Sequence, residues 1–137
     1  MDPNFPTAHA QIARAYERKG RYEEAITETN KAIALAGRFT GIVADLGYIY
    51  AGSGNKTEAN KILGELIERS KTEYVSAYDI ASVYAGLGEK EKVFAWLEKA
   101  FQEKSFAMVG LKSDQYWDSL RSDPRFADLL RRVGLPQ

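Results

Sequence analysis

LGYIYAGSGNKTEA, residues 46–59, decides the fold, because its residue types return on both sides at one fixed distance. Tyr16, Tyr50 and Tyr84 are 34 residues apart, as are Gly20, Gly54 and Gly88. Ala25, Ala59 and Val93 keep the same step, and so do Ala32, Leu66 and Ala100. A sustained period of this length marks stacked supersecondary units, none of which can bury its apolar face alone.

Each unit reads as two helices around a glycine turn. A helix over about Thr7–Lys19 carries Ala8, Ile12, Ala13 and Tyr16 on one face, and Gly20 supplies the backbone freedom that ends it. Its partner covers Tyr22–Ala36, with Ala25, Ile26, Ala32 and Ile33 apolar. The pair returns as Gly41–Gly52 with Lys56–Ser70, and again as Glu73–Leu87 with Glu89–Lys104. Small residues recur where the two helices must approach, Ala13, Gly47 and Ala81 on the first helix, Ala25 and Ala59 on the second; larger ones fill the space opposite. No segment alternates with the period of two that a strand needs.

From about residue 108 the step breaks. Ser113–Leu120, SDQYWDSL, reads as a short helix. Ser122-Asp123-Pro124 is a helix start, and Phe126, Leu129, Leu130 and Val133 form a stripe that Gly134 closes. Such a stripe needs one surface to bury against, and the open end of the third repeat is the expected one.

The pattern resembles the tetratricopeptide repeat, a helix–turn–helix unit of about 34 residues. The resemblance rests on Ile12-Ala13, Tyr16, Gly20, Ala25 and Ala32, then Leu46-Gly47, Tyr50, Gly54, Ala59 and Leu66, then Ile80-Ala81, Tyr84, Gly88, Val93 and Ala100. It implies an all-α, right-handed solenoid of antiparallel helix pairs, with repeats at about 6–39, 40–73 and 74–107 and capping helices at about 113–120 and 123–133. The tryptophan-type residue at the start of each repeat and the proline at its end are missing. Pro3 falls where a preceding repeat would end, so Asp2-Pro3-Asn4-Phe5 reads as the tail of a repeat whose helices are absent, and a fragment of a larger protein is expected. The ending LRSDPRFADLLRRVGLP also resembles the C-terminal region of bacterial multidomain tetratricopeptide proteins.

Composition narrows the function classes. Acids and bases balance at 19 each, so bulk charge gives no reason to expect nucleic acid or a membrane surface as partner. Arg121, Arg125, Arg131 and Arg132 are interleaved with Asp118, Asp123 and Asp128, which makes a solvated face of that tail. The chain has no cysteine and no apolar run of membrane-spanning length, and MDPNFPTAH lacks the basic start and apolar stretch of a secretion signal. A cytoplasmic location is expected.

Catalytic constellations are missing. Gly52-Ser53-Gly54-Asn55-Lys56-Thr57 superficially looks like a phosphate loop, but Asn55 and Tyr50 stand where that motif needs glycine, and the stretch aligns with the turns of the other repeats. His9 is the only histidine, so no histidine-based metal cluster or catalytic triad can form within the chain. Glu23-Glu24, Glu89 and Glu91 sit in the first turns of second helices, where they complement the helix dipole. No enzyme activity, metal or cofactor is expected.

The family resemblance implies a concave face lined by the first helix of each repeat. Its inward, non-core positions are Ala10, Arg14, Glu17 and Arg18, then Ala44, Tyr48, Ala51 and Gly52, then Tyr78, Ser82, Ala85 and Gly86. Tyrosine and arginine are frequent interface anchors. Arg14, Arg18, Tyr48, Tyr78 and Ser82 are therefore the expected contacts to a protein or peptide partner, or to another domain of the parent chain, with Tyr48 and Tyr78 removable without unfolding. The basic and amide residues with which some relatives grip a carboxyl terminus are absent, so chaperone docking is not expected. A second expectation is a homodimer through the open end of the array, at Phe5, Ile12 and Tyr22.

Overall fold

A computed structural model describes residues 6–134. Six helices form three antiparallel pairs: α1 (Pro6–Arg18) with α2 (Tyr22–Ala36), α3 (Thr40–Gly52) with α4 (Lys56–Arg69), and α5 (Ala77–Leu87) with α6 (Lys90–Gln102). Two 3-10 turns, Phe106–Gly110 and Gln115–Leu120, lead to α7 (Pro124–Val133). There is no strand among the described residues. The expected turn at Asp2–Phe5 lies outside them.

The turns inside the pairs share one device. Gly20, Gly54 and Gly88 have φ of 74°, 88° and 75°, a left-handed backbone that a residue with a Cβ adopts only with strain. The residue after each glycine bonds back to the carbonyl of the repeated tyrosine: Arg21 to Tyr16, Asn55 to Tyr50, Glu89 to Tyr84. Spent helix carbonyls are thereby satisfied where the chain reverses.

Two boundaries differ from the reading above. Helix α5 begins at Ala77 instead of Glu73, because Arg69 binds Glu73 with both guanidinium arms at 3.2 Å and holds the chain in a turn. Val75 is then buried and Ser76 takes the extended N-cap conformation. The break in the period is also narrower than expected. Helices α2, α4, α6 and α7 begin at residues 22, 56, 90 and 124, a constant step of 34 that includes the last helix. What fails is the first helix of the fourth unit. Where earlier units have Ile12-Ala13, Tyr16 and Gly20, this one has Asp114-Gln115, Asp118 and Ser122. Polar residues at core positions cannot face a helical interface, and the segment forms two 3-10 turns instead.

Helix α7 buries Phe126, Leu129 and Leu130. It is clamped to α6 at two points one helical step of seven apart. Arg125 reaches Glu91 at 2.8 and 3.1 Å with its guanidinium 4.3 Å from the Phe94 ring centre, and Arg132 reaches Glu98 with its guanidinium 4.5 Å from that of Phe101. Ion pair and cation–π contact coincide at each point, which fixes the register of the last helix.

The pairs do not stack evenly. Helix α3 packs directly on α5, whereas α1 joins the array chiefly through α2, which lies against α3. A Cβ at Gly47 would stand 2.9 Å from Ile62 Cγ2 and 3.1 Å from Val83 Cγ2; one at Gly86 would stand 3.0 Å from Ala51 Cβ. The α3–α5 approach therefore requires these glycines. On α1 the facing positions are Arg14, Glu17 and Arg18, whose long charged side chains keep that helix off α3. The interior of the first pair is made of Ala8, Ala13, Ala25 and Ala32 with Thr29, while the large buried side chains belong to α3–α7 and the 3-10 turns.

Gly47 and Gly64 provide a matched test. Gly64 is exposed within α4 with nothing within 4 Å of its added Cβ, so Gly64→Ala is expected to stabilise by about 0.5–1 kcal/mol through helix propensity. Gly47→Ala gains the same propensity but collides with branched, stiff side chains, and is expected to destabilise by about 1–2 kcal/mol. Urea denaturation of the two variants measures the difference.

Candidate functional site

The concave face is formed by α1, α3 and α5, and the second 3-10 turn lies across it. Three consecutive residues engage three successive helices. Gln115 accepts from Arg18 Nε at 2.7 Å and donates to Glu17, both on α1. Tyr116 donates to Asp45 of α3 at 2.9 Å and meets Tyr48 edge-on, ring centres 4.9 Å apart. Trp117 donates its indole N–H to the Tyr78 hydroxyl of α5 at 2.9 Å, with the rings 5.1 Å apart. The Tyr78 hydroxyl in turn donates to Asp114. The expected groove is thus crossed at its middle by the chain itself.

This crossing is part of the fold. Trp117 and Leu111 are fully buried, and Leu120 and Met108 nearly so. Withdrawing a buried tryptophan costs on the order of 3–5 kcal/mol. That is a large share of a domain's whole stability, so the segment is no easily displaced strap.

The crossing leaves two open halves. One lies at the N-terminal ends of α1, α3 and α5, bounded by Phe106–Asp114, as a cleft of about 740 Å³. The other lies at their C-terminal ends, between Arg18, Tyr22, Tyr48, Gly86 and Ser119, with about 410 Å³.

The expected contact residues divide accordingly. Arg14 is 59% exposed in its side chain and reaches Asp45 Oδ2 at 3.4 Å. It faces the first cleft, while Tyr48 lines the second and is half-buried. Arg18 is exposed but held by Gln115. Tyr78 and Ser82 are only 4% and 3% exposed, and the free surface expected of them is absent. Trp117 covers Tyr78, and Ser82 Oγ donates to the carbonyl of Asp79 at 2.6 Å. Removing Tyr78 would take a side chain from the core. His9 forms a 2.6 Å contact with Glu28, tying α1 to α2.

Three residues that the repeat pattern did not single out shape the first cleft. They are Asp45, Asp79 and Asp114, one from α3, one from α5 and one from the crossing segment. Asp45 is shared by Arg14 and Tyr116, and Asp114 is bound by Tyr78. Asp79 has neither an ion pair nor a side-chain hydrogen bond among the described residues. Burial, with the Asp45 carboxylate next, pushes its pKa up to about 6, and Arg14 opposes the shift. Burial also raises Asp45, against the pull of Arg14. Tyr48 is pushed up to about 12, chiefly by burial, so its hydroxyl stays protonated. No cluster of His, Cys, Asp or Glu among the described residues is arranged to hold a metal ion.

Repeated helix pairs stacked at a constant step, with a concave face assembled from their first helices, define a helical repeat protein. Residues 6–39 match the family model for the tetratricopeptide repeat. The pairs after it continue the same step of 34 residues, so the match over the first pair extends by pattern to the rest of the array. No curated protein matches the chain. Tetratricopeptide repeats generally mediate protein–protein interaction and are typically non-catalytic. No helix among the described residues is long and apolar enough to cross a membrane.

Asp79 gives a pH test. An unfolded aspartate titrates at about 3.9. The folded state holds the proton more tightly, so ionised Asp79 costs stability, and that cost grows as pH rises from about 4 through 6. Asp79→Asn is expected to stabilise by about 1–3 kcal/mol at pH 7.5, with the gain vanishing near pH 4. Thermal denaturation across that range checks it.

Proposed function

We propose that the protein is a non-catalytic interaction module that holds a peptide or helix of a partner on its concave face, in the half-grooves beside residues 113–120. The observation that carries the reading is the crossing itself. It fills the middle of the groove with Tyr116 and Trp117 and leaves a cleft on either side. Arg14 and Tyr48 are the reachable contacts, one toward each cleft; Arg18 borders the second, and Tyr78 and Ser82 act from beneath as support. A cleft of several hundred cubic ångströms with a few polar groups among apolar ones has the character of a recognition site. The partner is a separate protein or another domain of a parent chain, and a cytoplasmic setting suits a cysteine-free chain.

Peptides selected from a random display library on the immobilised protein test this reading. Tyr48→Ala is expected to weaken binding through the second cleft by about 1–2 kcal/mol, and Arg14→Ala to alter binding through the first, each measured at a temperature where the variant remains folded. Lys61→Ala, on α4 away from the groove, is expected to have no effect. Chemical-shift changes confined to the convex face would exclude the groove.

A second reading, self-association, is favoured by one observation. Ile12 and Leu35 at the open end of the array are 42% and 52% exposed. Tyr22, by contrast, packs over Gly52, and Phe5 lies outside the described residues. Self-association predicts a mass in sedimentation equilibrium that rises with concentration and returns to the monomer value in Leu35→Glu. A constant monomer mass removes it.

A further inference from the structure

We infer that the cleft at the N-terminal ends of α1, α3 and α5 takes a partner segment in which a lysine or arginine lies next to a large apolar side chain. This rests on the groove reading above and assigns the chemistry of one of its halves.

The rim of this cleft is apolar and unusually open. Phe106 is 85% exposed, Phe39 62% and Val109 55%, and all three border the same space. Large apolar side chains gathered at one concavity mark an interaction surface, whereas scattered ones do not. They come from separate places in the chain: the start of α3 and the first 3-10 turn. The floor is charged. Three carboxylates, Asp45, Asp79 and Asp114, face one guanidinium, Arg14, which is already committed to Asp45. Tyr78 and Tyr116 donate to Asp114 and Asp45, and among the described residues no donor reaches either carboxylate oxygen of Asp79. The surplus is negative, and its least satisfied member lies beneath the apolar rim.

A partly buried carboxylate without a partner is costly, and a cation brought to it by a partner removes that cost. An acidic segment would meet net repulsion here. Among the described residues the carboxylates are not arranged to hold a metal ion. An apolar anchor between Phe39 and Phe106, next to a lysine or arginine over Asp79, satisfies both features at once.

The protonation of Asp79 supports the same assignment. The groups facing it are Arg14 from α1, Asp45 from α3, Tyr78 on its own helix, and Asp114 and Tyr116 from the crossing segment. With its pKa at about 6, Asp79 is mostly ionised at pH 7.5 and mostly protonated at pH 5. A cation-bearing ligand therefore binds more weakly as pH falls through that range.

The test uses the whole chain and peptides from a random display library selected on it at pH 7.5. Enriched peptides are expected to carry lysine or arginine within two residues of an aromatic or branched aliphatic residue. Their affinity is expected to fall at least tenfold with Asp79→Asn, at least fivefold with Phe106→Ser, and severalfold between pH 7.5 and pH 5 for the unaltered protein. Thermal denaturation of Asp79→Asn, expected to show a more stable protein, separates loss of binding from unfolding. Peptides that depend on Tyr48 but not on Asp79 would overturn this inference and leave the groove reading standing. Peptides insensitive to Arg14, Tyr48 and Asp79 alike, or no enrichment at all, would overturn both.

Discussion

The indole N–H of Trp117 has one requirement that orders much of the molecule: a buried donor with no accepting capacity of its own must find an acceptor. It finds the Tyr78 hydroxyl at 2.9 Å, which passes its own proton toward Asp114. Burial and the Asp114 carboxylate raise the Tyr78 pKa far above that of a free phenol, so the hydroxyl remains a donor at any working pH. This relay pins residues 114–117 to α5. Once they are pinned, Tyr116 falls on Tyr48 and Asp45, and Gln115 falls between Glu17 and Arg18. The groove is divided, and α1 acquires a link to the rest of the array that its own packing does not supply.

The same segment explains where the repeat pattern changes. Here the second helix of a fourth unit is kept in step, as α7, and fastened to α6 by paired arginines over aromatic rings. The first helix is given up. Residues that would have formed it serve as filler for the concave side, where Leu111, Trp117 and Leu120 complete the core of α3 and α5. Loss of that helix and occupation of the middle of the groove are one event.

Asymmetry along the array then bears on binding. The α3–α5 contact is tight because Gly47 and Gly86 allow it; α1 stands away because Arg14, Glu17 and Arg18 do not. The space between α1 and α3 is where charged and polar side chains collect, and it opens into the cleft under Phe39 and Phe106. Helices joined through small residues and few large contacts are those most able to move independently. The first pair, with its alanine interior, therefore borders the cleft on the more adjustable side.

The sequence by itself determined the helix pairs, their step and their turns. These are local matters: an i, i+4 stripe, a glycine that must adopt positive φ, and a small residue wherever two helices meet. The family resemblance, applied in that register, put Arg14 and Tyr48 on the concave side. The fate of Tyr78 and Ser82 was not legible, since nothing near them announces that Trp117 will cover Tyr78 or that Ser82 will be buried. The persistence of the step into α7 was hidden for a related reason. Its start and the small residue Ala127, in step with Ala25, Ala59 and Val93, keep the 34-residue period, while the preceding segment carries Asp114, Gln115 and Asp118 at core positions. Whether a segment that cannot be a helix lies in solvent or folds back into a groove depends on contacts with residues 36 to 98 positions away, and only the tertiary structure decides them.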